Sequence, residues 1–471
     1  MSNNGDGSLK DQLLSRIPPW LETWWTETKS TLWFLPTCAT VFAVLLSSLV
    51  IWLDYYWELT TAGINSPWLF GAGSDGARGV LSAIAGSLVT VIGTVFSITI
   101  VALQLASSQF TPRVLRQFTS DRINQTVLAL FIGTFTYSLL VLRSVRASTD
   151  ADPGFVPVIG VTVAILLALA CMGLLILFIH HMAQQAQVSY ILARAASEAL
   201  GQIESSFRGE IAATPNLTRR DYAQGEGQDV LCASSGYLQQ YDHEYLLGAA
   251  RDHDLTIRLL APMGAYLNAG QPVARVWTTS KETADFEDVS ARIQRAMVTG
   301  QERTLEADAG LGVRQIADIA IKALSPGIND PTTATQALDR ISEVLSRAGA
   351  LKSPERILYV DDRPAVFLPR IGFDDLTGIA FTQIRHYGKS DVVVMLHLAN
   401  TIERVSSLVD EKHYEVLIRH LQLVREAGQQ GLELGPEREA LGHEVDEGIR
   451  RIGEYREGNR TPIVPDIVQE L

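Results

Sequence analysis

The sequence predicts a multi-pass α-helical membrane domain with four transmembrane helices, followed by a cytoplasmic α+β domain with a small β-barrel-like part and a helical part. Three observations carry that reading. Residues 30–53, 79–112, 123–142 and 155–179 hold no charged side chain, and each run supplies the ~20 residues that a helix needs to cross a bilayer. Only 19% of the 471 residues are charged, against ~25% in a typical soluble protein, and the mean hydropathy is +0.12. After residue 184 the chain turns to mixed polarity, with amphipathic periods and turn residues.

In chain order, residues 1–29 read as an N-terminal interfacial segment. Trp20, Trp24 and Trp25 follow Pro18 and Pro19, as expected of a short helix in the headgroup plane or of a frayed start to the first span. Residues 30–183 form the membrane domain. Its first run is too long for a signal-peptide core and lacks a small-residue cleavage site, so it is expected to remain as a span. Trp33 and Trp52, Tyr55, Tyr56 and Trp57 bracket it, as in an aromatic belt. Lys10, Arg16 and Lys29 precede that span, and Arg113, Arg116 and Arg122 lie between the second and third. Asp54, Glu58 and Asp75 dominate the first-to-second connection. The basic loops are expected to be cytoplasmic, which places the N-terminus and the C-terminal domain there too, in a bacterial inner membrane.

Residues 184–227 are a helical connector. Within them VSYILARAASEALGQIESSF (188–207) sets Ile191, Ala195, Leu200 and Ile203 on one side. Residues 228–280 are β-rich, and RLLAPMGAYLNAGQPVARVW (258–277) reads as strands around Gly264 and Gly270. That stretch is similar to half of a lipoyl-like unit, but no lysine lies between 230 and 280 to carry a prosthetic group. Residues 281–471 are helical, with helices at about 374–387, 391–407, 411–428 and 436–457 by periodicity. In SPGINDP (325–331), Gly327 suits a left-handed helix stop, Asn329 or Asp330 an N-cap, and Pro331 the first helical position.

Chemical motifs are sparse. P-loop, dinucleotide-binding, zincin and nucleophile-elbow patterns are absent, so no enzyme activity and no cofactor are expected. The net charge of -13 argues against nucleic acid as a partner. Cys38, Cys171 and Cys232 have no disulfide or metal spacing. The triplets DHE (242–244) and DHD (252–254) would bring His243 and His253 together only if they sat on neighbouring strands, and solvated turn charges are the simpler reading. His180 and His181 end the fourth span as interface anchors, with a pH-sensing role open. No acidic residue or lysine lies inside the charge-free runs, which disfavours an ion-coupled carrier.

The second run is the candidate functional element. Wound at ~100° per residue, Ser82, Gly86, Thr90, Gly93, Ser97, Gln104 and Ser108 share one arc. Leu81, Ile84, Leu88, Val91, Val95 and Leu103 take the opposite side. Such a stripe either packs against another helix or lines a pore, with Ile100 as its apolar constriction and Arg113, Arg116 and Arg122 at its cytoplasmic mouth.

The stretch 79–146, with GYLQQYD (236–242), ERT (302–304) and GVRQIADIAIKALSPGINDPTTATQALDRI (312–341), resembles a bacterial family of predicted membrane proteins catalogued as domain of unknown function 2254. The resemblance implies a four-span inner-membrane protein with a large cytoplasmic domain; it implies no agreed activity and carries over no catalytic residue. A looser architectural analogy joins the chain to small-conductance mechanosensitive channels. Together these readings suggest a homo-oligomeric ion channel lined by the second span, with the bilayer, further copies of itself and ions as partners. The alternative is a membrane-anchored sensor or scaffold whose cytoplasmic domain binds a ligand or partner.

Overall fold

A computed structural model describes residue 31 and, with internal gaps, residues 33–458, leaving out 61–70, 110–120, 148–153, 208–226, 279–284, 304–307, 351–354 and a few single positions. The interfacial segment 1–29, Arg113 and Arg116 lie outside the described residues. The chain divides into two compact units, Met1–Gln187 and Val188–Leu471.

The first unit contains α1 (Phe34–Thr60), α2 (Ser74–Gln109), α3 (Arg122–Ser144) and α4 (Val158–Gln185). All four are long and apolar enough to cross a membrane. Two buried clusters hold them together. Ala43, Leu81, Tyr137, Val141, Val161 and Ala164 form one, and Leu88, Val95, Val127, Phe131, Cys171 and Phe178 the other. Large apolar side chains such as Phe42, Leu45, Leu166, Leu169 and Ile176 point outward, as a lipid-facing surface requires. Trp33, Trp52, Tyr55 and Tyr56 are exposed near the two ends of α1, in keeping with an aromatic belt.

One charge overturns its sequence assignment. α1 continues beyond the charge-free run, so Asp54 lies inside the helix and not in an outer loop. It is 6% exposed. Its Oδ1 accepts from the Ile159 amide at 2.9 Å and its Oδ2 from the Gly160 amide at 2.8 Å. These are orphan donors of the first turn of α4, where an anion is favoured. Tyr137 of α3 donates to the Gly160 carbonyl at 3.1 Å. At the same end Arg78 of α2 donates to the Val145 carbonyl at 3.1 Å.

The second unit opens with α5 (Val188–Phe207). Its buried face is Ile191, Leu192, Ala195, Ala196, Ala199 and Ile203, while Leu200 is half-buried. It packs on α8 (Ala309–Ala323) and α9 (Pro331–Gly349). A Cβ at Gly312 of α8 would meet the Ala199 side chain at 2.6 Å; only glycine permits that crossing.

The β part is an open arrangement, not the closed barrel-like unit of the sequence reading. Strands β1 (Gln228–Leu231), β2 (Gly236–Tyr241), β3 (Leu255–Leu259), β4 (Tyr266–Leu267), β5 (Pro272–Thr278), β6 (Met297–Gly300), β7 (Glu355–Val360) and β8 (Arg363–Pro369) form two sheets. The five-stranded sheet runs β1-β5-β3-β8-β7 and the three-stranded one β4-β2-β6. The β7–β8 hairpin comes from the stretch read as helical and joins through a parallel β3–β8 pairing, Ile257 opposite Val366. Helices α6 (His243–Asp252) and α7 (Phe286–Arg295) pack on the sheets. Gly264 and Gly270 both adopt positive φ, 83° and 82°, in the left-handed region that glycine enters without steric cost. At Gly264 an added Cβ would also strike Oδ2 of Asp308.

The remaining helices are α10 (Phe373–Gly388), α11 (Val392–Ser406), α12 (Tyr414–Gly431) and α13 (Gly435–Arg456). Asp330 N-caps α9 by accepting from the Thr333 amide at 3.1 Å, and Pro331 opens it. The left-handed residue of that turn is Asn329, φ 50°, rather than Gly327. Asparagine tolerates this conformation, so glycine is not needed for the stop.

Two outcomes test these contacts. Asp54→Ala leaves the Ile159 and Gly160 amides without their acceptor and should lower the unfolding free energy by about 2–4 kcal/mol, read by denaturant titration in detergent. In the helical part, His420 of α12 is 6% exposed and stacks edge-on to Phe381 of α10 with centroids 5.4 Å apart. Burial first, then Arg385 and Arg419, hold its pKa down to about 4. The folded state therefore refuses a proton that the unfolded chain accepts near 6.5. Stability from this residue is present above about 6.5 and is lost as the pH falls toward 4, about 3 kcal/mol in all. Replacing it in His420→Asn should remove that part of the acid sensitivity in melting curves of the full chain.

Candidate functional site

The second spanning helix sorts its residues by face. Ala77, Leu81, Ala85, Leu88, Val95 and Thr99 are buried, and α2 packs through this side on α3 and α4. Leu81, Ile84, Leu88, Val91, Val95 and Leu103, the side opposite the stripe in the sequence, are buried or half-buried. Ser82, Gly86, Thr90, Gly93, Ser97, Ile100 and Gln104 are all exposed. Ser108 is in the last turn of α2, with its side chain outside the described residues.

At ~100° per residue the centres of the two faces lie roughly 165° apart. A Cβ built on Gly79, Gly86 or Gly93 meets nothing within 4 Å, so these glycines serve no close approach to any other described residue. Ser87, Thr94 and Thr99, which interrupt the stripe pattern, donate back to Ile84, Thr90 and Val95 carbonyls at 3.0, 3.0 and 2.8 Å. This common helical habit removes their polarity from the surface. Among the described residues the stripe is thus a small, uncharged surface, polar apart from Ile100, that no other element covers. Arg122, the one member of the predicted basic mouth among the described residues, is exposed at the start of α3.

A polar cluster absent from the sequence reading lies where α3 begins and α4 ends. Asp121 caps α3, its Oδ1 accepting from the Ile123 and Asn124 amides at 2.8 and 3.4 Å. Its Oδ2 lies 3.1 Å from Nε2 of His181 and 2.5 Å from Nε2 of Gln185. His181 is therefore paired with a carboxylate rather than being only an interface anchor; His180 is exposed. The local signal was present, since Asp121 precedes an apolar run as an N-cap should. The partners, 60 and 64 residues away, could not be read from spacing.

The histidine triplets are separated by the fold. Asp242 caps α6 and accepts from the Tyr245 amide at 3.0 Å, so His243 and His253 fall at opposite ends of a helix and not on neighbouring strands. His253 pairs with Asp288 at 3.1 Å, and Arg292 joins Asp288 to Asp252. Among the described residues no group of three or more His, Cys, Asp or Glu side chains could hold a metal.

Four apolar spanning helices joined to a mixed helical and sheet unit define a multi-pass membrane protein. The family described as Predicted membrane protein (DUF2254) matches residues 29–404, and the chain belongs to it. The match takes in α1–α11, and α12 and α13 lie beyond it. An uncharacterised protein of Mycobacterium bovis and one of Mycobacterium tuberculosis are each 33% identical over 356 residues, 75% of this chain and 68% of theirs. No solved structure matches.

The two faces of α2 should respond oppositely to bulk. Ala85, 5% exposed, faces α3 and α4, so Ala85→Leu overpacks the bundle and should cost about 1–3 kcal/mol. Gly86→Leu, one residue on but in open space, should leave thermal unfolding of the detergent-solubilised monomer unchanged or slightly raised, since leucine is the better helix former.

Proposed function

We propose that the protein is a homo-oligomeric ion channel of the bacterial inner membrane, with the exposed stripe of α2 turned toward a shared central axis. The observation that carries this reading is the stripe's position. It lies opposite the face that builds the monomer, and nothing among the described residues accounts for its polarity and small size, which a neighbouring copy would. Lipid is the poorest neighbour for Ser82, Thr90, Ser97 and Gln104, and another copy or water is a better one.

A single helix per subunit encloses a pore only in a closed ring of several subunits. The glycines at 86 and 93 would let neighbouring helices approach closely around it. Ile100, 47% exposed and the apolar member of the arc, would form a constriction able to gate by dewetting. The basic loop at 113–122 would sit at the cytoplasmic mouth, with the N-terminus and the C-terminal unit on that side by the positive-inside rule. Ion, lipid bilayer and self are the partners in this reading, with no catalysis. At the outer end Asp54 is spent on capping α4, which leaves Asp75, exposed at the start of α2, as a charge free to act on passing ions. Weak selectivity is expected.

Purified protein in liposomes should conduct ions. Ile100→Ser should raise basal flux severalfold by wetting the constriction, and Gly93→Leu should lower it with the oligomer intact. Dissociation of the oligomer by Gly93→Leu, or flux indifferent to both changes, would assign the stripe to subunit packing and favour the sensor or scaffold reading.

A further inference from the structure

The cluster at the α3–α4 end contains a triangle of atoms that cannot satisfy all its contacts at once. Asp121 Oδ2, His181 Nε2 and Gln185 Nε2 lie 3.1, 2.5 and 2.7 Å from one another. Each contact needs one donor and one acceptor. The Gln185 amide nitrogen only donates and the carboxylate only accepts, so the proton on His181 Nε2 decides the outcome. With Nε2 bare, Gln185 donates to both neighbours, and the imidazole lone pair faces the carboxylate across 3.1 Å. With Nε2 protonated, His181 donates to Asp121, and its contact with Gln185 sets donor against donor. An imidazolium must carry that proton, whereas the neutral ring can move its single proton to Nδ1, as the Gln185 donor requires.

We infer that His181, Asp121 and Gln185 form a proton-operated latch that tightens the junction of the C-terminal turn of α4 with the N-terminus of α3 when His181 is charged, by adding a bond beside the Gln185–Asp121 contact. Protonation exchanges a contact within α4, His181 to Gln185, for a bond across helices, His181 to Asp121. Asp121 cannot swing away to relieve the mismatch, because its Oδ1 is held by the α3 amides. Gln185 and Asp121 are both buried, and Oε1 of Gln185 has no hydrogen-bond partner among the described residues.

The other ionisable groups at this end are few. Among the described residues α3 offers Asp121 and Arg122, and α4 offers His180 and His181. The adjoining turns of α1 (34–43) and α2 (91–104) carry only the Cys38 thiol. Arg122 and His180 are both exposed. The position gives the latch its reach, since Gln185 is the last residue of α4 and α5 starts at Val188. Loosening this turn frees the point where the chain leaves the membrane unit for the buried helix on which the second unit is built. The latch does not depend on the pore reading, and its test reads distance, not flux.

Spin labels on Ile123→Cys and Gln184→Cys, both at exposed positions, would report the α3–α4 separation. The labelled full chain, with Cys38, Cys171 and Cys232 replaced by alanine, would be diluted with unlabelled protein in lipid nanodiscs. Pulsed EPR should give a shorter, narrower distribution at about pH 5 than at about pH 8. His180→Asn should keep that response and His181→Asn should lose it. Gln185→Leu, which removes the competing donor, should stay short at both pH values and decides the matter should His181→Asn fail to fold. A distribution indifferent to pH in the parent protein, a response surviving His181→Asn, or a parent-like swing in Gln185→Leu would each overturn the latch.

Discussion

The membrane unit depends on one carboxylate. Asp54, in the last third of α1, holds the Ile159 and Gly160 amides that α4 cannot satisfy itself. In a hydrocarbon medium no water is at hand to take those donors, so the start of α4 is fixed wherever Asp54 is. Tyr137 closes the arrangement from α3 by binding the Gly160 carbonyl. Three of the four spanning helices thereby meet at one polar point inside an otherwise apolar bundle. α2 is attached differently, through the Arg78 bond to Val145 and through its apolar face on α3 and α4. It has no share in the Asp54 cap, and its far side is left uncommitted.

The second unit repeats the same device. Asp242, Asp285, Asp308, Asp330 and Asp391 each accept from a first-turn amide of the helix they precede. Asp308 does more than cap. Buried at the start of α8, it takes an ion pair from Arg303, and its side chain occupies the space that a Cβ at Gly264 would need. Burial pushes its carboxyl pKa up against the opposing pull of Arg303 and the α8 amides. The β part and the helical part are keyed together at that point, and the parallel β3–β8 pairing is a second join between them.

Polarity inside the membrane unit is of two kinds, and the distinction carries the functional reading. Asp54, Asp121, Gln185 and Tyr137 are buried and bonded across helices, which is the polarity of assembly within a chain. Ser82, Thr90, Ser97 and Gln104 are exposed beside glycines that touch nothing, which is polarity directed out of the chain. A lipid-facing surface made like that of α4, with Leu166, Leu169, Met172 and Ile176 outward, would have been the cheaper choice in hydrocarbon.

The sequence by itself determined what depends on local periodicity. Four apolar runs became four helices, the amphipathic segments at 374–387, 391–407 and 436–457 became α10, α11 and α13 within a residue or two, and the division of α2 into a stripe and an apolar side followed from ~100° per residue alone. Asp330 and Pro331 were legible because capping chemistry acts within one turn. Only the tertiary structure decided which face of α2 builds the bundle. Periodicity separates faces but does not say which one meets a neighbour. It also decided that Asp54 caps a helix 105 residues away, that His181 finds Asp121, and that residues 355–369 leave a helical stretch to join a sheet begun at residue 228. Each of these is a pairing between distant segments. Its energy comes from burying groups that have no reason, in their own stretch of chain, to be buried at all.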